Sequence, residues 1–186
     1  MNLSAMNLFL SYSNIKRHLE HMREEKLRYS ILEKSLPQLK GKSINQIIRL
    51  NIDRNAKDEA IKLLWYIKSH DCFFDSFAEK QTRSDNLLKF YSSAEKFLYD
   101  LYVEAVEHDG GFMYIYFDRQ GVPKWIFSSE CDGAFIRYKP VLALDLYEHS
   151  YFLDYGFNKR LYLRNALSYL NLASLDNRVQ KGYNEV

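Results

Sequence analysis

The chain has 186 residues, 47% hydrophobic, 16% aromatic and 27% charged, which suits one compact domain or two small layers and excludes a disordered polymer. Lys plus Arg (26) nearly balances Asp plus Glu (24), and the formal charge of +2 gives no reason to expect a nucleic-acid or membrane-surface partner. Cys72 and Cys131 are too few for a disulfide scaffold or a Cys-rich zinc module, so the five histidines His18, His21, His70, His108 and His149 are the main chemical resource.

The segment Met1 to Leu10 lacks a basic start, and Asn2, Ser4 and Asn7 interrupt its apolar run. It reads as neither a secretory signal nor a spanning helix, so a soluble, cytoplasmic protein is expected. From a cap at Ser13 to Leu36, the residues Ile15, His18, Met22, Tyr29, Leu32 and Leu36 recur at helical spacing. After the break at Pro37 to Lys42, Ser43 opens a short helix with Ile44, Ile47 and Ile48. A second long helix follows, with Leu63, Ile67, His70, Phe74 and Phe77 as its apolar stripe.

Residues 80–86 are polar and read as a linker. A helix is expected from Asn86 to Glu107, with Leu87, Phe90, Tyr91, Ala94, Phe97, Leu98 and Leu101 inward, stopping at Gly110-Gly111. Phe112 to Phe117 and Trp125 to Phe127 read as a hairpin around Asp118 to Gly121, and Val141 to Leu144 as a third strand ending at Asp145. A last helix spans Arg160 to Leu172, with fraying expected beyond Asp176. The fold class is therefore α+β. An N-terminal antiparallel helical hairpin (1–82) precedes a C-terminal layer of helices around a small three-stranded antiparallel sheet (83–186).

His18 lies near the start of the first long helix and His70 near the end of the second, so antiparallel packing brings them side by side. A single histidine on an apolar face is most often a core residue, but two at matching heights need polar partners. Asp145 closes a buried-looking strand and His149 follows four residues later. A cap and a surface imidazole would explain that pair. A first shell of three imidazoles and one carboxylate, suited to iron, manganese or zinc rather than calcium or magnesium, would explain all four. His21 sits beside the stripe and is expected in solvent. His108 reads as a helix C-terminal residue favoured by the dipole, and Cys72 as a core residue.

Further motifs carry a resemblance. Leu144-Asp145-Leu146-Tyr147-Glu148-His149-Ser150-Tyr151, continuing to Asp154-Tyr155, resembles the C-terminal Asp-x-Trp-Glu-His-x-Tyr signature of the iron/manganese superoxide dismutases. Ser69-His70-Asp71-Cys72-Phe73-Phe74 is similar to that family's Asn-His-x-x-Phe-Trp segment. The stretch from Ile15 to Ile44 is similar to its first helix pair and Gly-Lys-Ser-Leu turn, and Gly110-Gly111-Phe112-Met113-Tyr114 stands where the family has Gly-Ser-Gly-Trp-x-Trp.

The resemblance implies one iron or manganese ion per subunit, held by His18, His70, Asp145 and His149. The implied reaction converts superoxide to dioxygen and hydrogen peroxide by cycling of the metal. It also implies a homodimer in which Glu148 reaches the partner's ligand histidine. Around the ligands the sequence departs from the family pattern. Lys26 stands for the gateway tyrosine, Met22 for a histidine, Phe152 for the tyrosine that pairs with it across the dimer, and Tyr66 for the iron branch's glutamine. Phe74, Phe112 and Tyr147 stand for tryptophans, and Glu130, Cys131 and Asp132 fall near the manganese branch's glutamine. Lys26, Tyr66, Phe74 and Tyr147 are thus candidates for the layer around the ligands. The alternative function is a metal-binding protein of this fold with little dismutation, serving storage, sensing or another redox reaction.

Overall fold

Side-chain oxygens set the helix starts. In the computed structural model, which describes residues 3–129 and 139–176, a short α1 (Leu3–Met6) leads into α2 (Tyr12–Ser35). Ser11, not Ser13, caps α2, accepting from the Asn14 N–H at 3.2 Å. The cause of this earlier start is tertiary. Asp154 Oδ2 accepts from Ser11 N at 2.9 Å and from Asn14 Nδ2 at 3.0 Å, tying this end of α2 to the C-terminal layer.

A 3-10 turn (Pro37–Leu39) precedes α3 (Ile44–Ile48), which opens on the reciprocal Ser43/Gln46 capping box. Asp53 starts α4 (Arg54–Phe74) by accepting from Ala56 N at 3.0 Å. His18 meets Phe73 and Phe74 while Arg28 pairs with Glu59, so α2 and α4 run antiparallel as expected. Leu63, His70 and Phe74 on α4, Phe77 just beyond its end, and Ile15, His18 and Met22 on α2, are all buried.

The polar stretch 80–86 is bonded to the chain's C-terminal part rather than free. Asp176 accepts from Ser84 Oγ at 2.7 Å, Asn86 N at 2.9 Å and Asp85 N at 3.1 Å. The helix expected over 86–107 is interrupted. A 3-10 turn (Leu87–Lys89) comes first, and Ser93 then caps α5 (Ala94–Val106), leaving Phe90 45% exposed instead of inward.

Strands β1 (Phe112–Phe117), β2 (Pro123–Ser128) and β3 (Leu142–Asp145) form an antiparallel sheet in the order β2-β1-β3. The β1–β2 hairpin is closed by Asp118, whose Oδ1 accepts from Gln120 N and Val122 N, both at 2.9 Å. Its register with β1 places Asp145 opposite Phe112. On the edge strand β3, the buried Ala143 N–H donates to Ser76 Oγ at 2.7 Å, which joins β3 to the segment just past α4.

Past β3 come the helices α6 (Phe152–Tyr155) and α7 (Lys159–Ser168). The last helix stops short of the expected Leu172 because backbone bonds draw the next residues away. Ala78 N donates to Tyr169 O and Asn171 N to Ser76 O, both at 2.8 Å, and Phe77 bridges Leu170. One core cluster joins residues of α2, α4, α5, the sheet and α7, and a smaller one packs Leu39, Ile47 and Ala60. No helix among the described residues is long and apolar enough to cross a membrane. The Glu130–Asp132 candidates and the tail beyond Asp176 lie outside the described residues.

Candidate metal centre

Asp145 is the hub. It ends β3 at 0% exposure, and its main chain and one carboxylate oxygen are fully occupied by structure. Its carbonyl accepts from Tyr162 Oη at 2.8 Å and Ser150 Oγ at 3.1 Å, and its Oδ1 from Tyr147 N at 3.0 Å. Oδ2 remains, and three imidazoles converge on it. His18 Nε2 lies 3.0 Å away, His149 Nε2 3.5 Å and His70 Nε2 3.9 Å. One donor atom from each of the four residues falls within 4.8 Å of all the others.

Each histidine is delivered by a different local device. His18 comes from the first turns of α2, fixed by Asp154 as described. His70 comes from the last turns of α4, where its Nδ1 donates to Tyr66 O at 2.9 Å and so leaves Nε2 as an unprotonated lone pair. His149 sits in a 3-10 turn (Glu148–Ser150) just past β3. Gly110, at φ +79°, keeps clear the space beside Tyr147, because a Cβ there would stand 3.2 Å from that ring.

Electrostatics follow burial. Burial pushes the His70 imidazole down to about 4, although Asp145 pulls the other way. Burial also pushes the Asp145 carboxyl up, but the hydrogen bonds and charges of His149 and His18 outweigh it and hold the carboxyl far below the usual range. His149 shows the mirror image: burial lowers its imidazole, and Asp145 more than reverses this, leaving it raised.

The walls are aromatic. Phe73 and Phe74 pack on His18 with ring centroids at 5.4 and 5.8 Å, Phe112 stands edge-on to His70 at 5.3 Å, and Tyr147 stacks on His149 at 5.4 Å. Phe74 and Tyr147 thus lie against the candidate ligands. Tyr66 contributes its carbonyl to His70, while its ring packs on Trp65. Lys26 turns to the surface and pairs with Asp71 at 3.0 Å, both side chains nearly half exposed. Glu148 is exposed beside His149, whose side chain is 45% exposed.

Two histidines differ from expectation. His108 falls beyond the end of α5, where its ring stacks on Phe127 and its carbonyl accepts from Lys159 Nζ. His21 is half-buried against the cluster rather than in solvent, 5.6 Å from the rings of both His70 and His149. Burial, followed by the neighbouring His149, lowers its imidazole. Its position three residues after His18 was the available signal, since such residues share a helix face.

The four donors fit a transition-metal ion. Ligand bonds of about 2.0–2.2 Å spread over 90–120° place donor atoms roughly 3–3.7 Å apart, close to the separations around Asp145 Oδ2. The His70 Nε2 lone pair is buried with no hydrogen-bond partner among the described residues, and it faces a carboxylate oxygen across 3.9 Å. A cation between them would pair both. Three nitrogen donors suit iron, manganese or zinc better than calcium or magnesium.

The C-terminal domain model of the iron/manganese superoxide dismutases matches residues 79–178, more than half of the 186 residues and including Asp145 and His149. No curated protein matches the sequence. The α+β architecture, with its helical N-terminal part and three-stranded antiparallel sheet, agrees with that match. On this evidence the chain belongs to the iron/manganese superoxide dismutase family.

Proposed function

We propose that His18, His70, Asp145 and His149 hold one iron or manganese ion per subunit, at the junction of residues 1–82 and 83–186, and that the protein converts superoxide to dioxygen and hydrogen peroxide. The observation that carries this reading is the convergence of three imidazole Nε2 atoms on one oxygen of a fully buried carboxylate. When bound, the ion supplies one-electron redox chemistry, accepting an electron from one superoxide and giving it to the next.

The chain's own residues define the setting. Asp145 offers a charge held ready by its Tyr147, Tyr162 and Ser150 bonds. Tyr66 holds the His70 tautomer, and Phe73, Phe74, Phe112 and Tyr147 keep bulk water from the cluster. Exposed Glu148 and Phe152, beside the part-exposed His149, suit a homodimer in which Glu148 bonds the partner's ligand histidine. The low cysteine content suits a cytoplasmic setting.

The test is elemental analysis of protein expressed with added iron or manganese, paired with a superoxide assay on wild type and His149→Ala. About one ion per chain in wild type and loss of both ion and activity in the variant are expected. Unchanged metal content in His149→Ala would show the ligand assignment to be wrong. A loaded wild type no faster than free metal would refute dismutation and leave the alternative, a metal-binding protein of this fold.

A further inference from the structure

His21 packs beside the four candidate ligands without joining them. Its ring stands 5.6 Å from the His70 ring and 5.6 Å from the His149 ring. The three converging imidazoles are themselves 5.2, 5.3 and 6.3 Å apart, so His21 is as near to two of them as they are to one another. Its nitrogens nevertheless lie outside the group of donor atoms gathered around Asp145 Oδ2. It stands next to the donor group and is not one of its members.

Burial locates the open side. His18, His70 and Asp145 are at most 2% exposed, and Phe74 and Phe112 are 0% exposed. Solvent meets the cluster where the part-exposed His149 and the half-buried His21 come together. A small ion approaching the four donors therefore comes within reach of His21.

A carboxylate stands behind it. Glu25, four residues on and so on the same helix face, is 8% exposed. Its Oε1 takes Arg28 Nη1 at 3.3 Å, while its Oε2 is buried with no hydrogen-bond partner among the described residues. The Glu25 charge acts on the His21 imidazole. With its Oε1 on Arg28 and its Oε2 bonded to nothing among the described residues, Glu25 does not fix the His21 ring. An imidazole offers an N–H in either protonation state, and a bond from it to an anion is charge-assisted.

We propose that His21 is a positioning residue at the mouth of the metal centre whose N–H holds a small monoanion on the centre's open side. This rests on the metal-centre reading given above. It names His21 as a recognition element for the class of ligand that reading requires, a compact anion of charge minus one.

The experiment uses azide as the probe on the full-length chain loaded with ferric iron, following the optical change as azide binds. Wild type, His21→Ala, His21→Gln and Glu25→Gln are compared, with iron content measured for each. His21 is half-buried on a helix and alanine favours helices, so His21→Ala should fold; circular dichroism checks this. Equal iron content in all four is expected. The azide Kd should rise about tenfold in His21→Ala, recover at least partly in His21→Gln, which keeps an N–H, and stay within about twofold of wild type in Glu25→Gln.

A His21→Ala Kd within about twofold of wild type overturns the proposal. So does equal weakening in the Ala and Gln variants, because a merely structural role would not tell them apart. Loss of iron from His21→Ala would make His21 part of the ion's hold rather than a positioning residue. A rise in Glu25→Gln as large as that in His21→Ala overturns the proposal too, because the loss would then not belong to the His21 N–H. A wild type that takes up no iron fails differently, since it overturns the metal-centre reading itself.

Discussion

Ser76 joins the two candidate metal-binding halves, and its replacement by alanine puts that connection to a quantitative test. The residue is 0% exposed, and its Oγ accepts from Ala143 N at 2.7 Å and donates to Cys72 O, also at 2.7 Å. Ala143 lies on edge strand β3, two residues before Asp145, while Ser76 lies six residues after His70. In Ser76→Ala the backbone around it stays, but the Ala143 N–H is left in a dry interior without an acceptor. Such an orphaned donor costs about 1–3 kcal/mol. The Cys72 carbonyl loses less, because a carbonyl retains its other lone pair for helix bonding. A net loss of about 2 kcal/mol follows, which for a chain of this length lowers Tm by about 4–8 °C. Thermal unfolding followed by circular dichroism on metal-free protein measures it. Ser76→Thr, which keeps the hydroxyl, should lose less. A Ser76→Ala loss below about 0.5 kcal/mol would refute the reasoning, because it would show the Ala143 N–H finding another acceptor at no cost.

Gly111→Ala should be more damaging, about 3 kcal/mol or more in urea unfolding. The residue holds φ +83°, which a side chain resists by about 1–2 kcal/mol, and the new Cβ would stand 2.8 Å from the Ser128 carbonyl oxygen. Asp145→Asn keeps the shape of its side chain but removes the charge on which three imidazoles converge. Its metal affinity should fall by more than the roughly 100-fold typical of losing an outer partner, as read by competition with a chelator. At Asp176, burial pushes the carboxyl up, but hydrogen bonds from Asn86 N, Ser84 Oγ and Asp85 N leave it below its ordinary value. The folded state then favours the ionised form, so this stabilisation is present above about pH 4 and fades as pH falls further. Asp176→Ala should cost about 1 kcal/mol at neutral pH, and the gap to wild type should narrow in acid; a gap that widens there would contradict the assignment. Lys26→Ala breaks an exposed pair with Asp71 and should change stability by less than about 1 kcal/mol.

Periodicity carried much of this protein. The stripe containing His18 and the stripe containing His70 were legible because a buried helix face repeats every three to four residues whatever packs on it, and both faces are buried. The hairpin and the strand ending at Asp145 were legible for a similar reason, since alternating or continuous apolar runs bounded by glycine and aspartate leave few other structures. Those local patterns put His18 and His70 on helix faces that an antiparallel hairpin sets side by side, but by spacing alone Asp145 and His149 could equally be a cap and a surface imidazole.

Boundaries and neighbours were another matter, because they depend on groups distant in the chain. Helix α2 is capped at Ser11 because Asp154, 143 residues away, takes its N–H. The final helix stops at Ser168 because residues 169–171 bond to the segment after α4. Lys26 shares the face of His18 by spacing, yet a surface carboxylate, Asp71, claims its ammonium. His21 looked peripheral, beside the helical stripe, and became a neighbour of the site once α4 and the turn at His149 packed against α2. The sequence by itself determined which residues are apolar, which helices and strands they form, and which side chains can bind a metal. The tertiary structure alone decided which of those groups meet, because hydrogen bonds and ring contacts act over a few ångströms of space and take no account of distance along the chain.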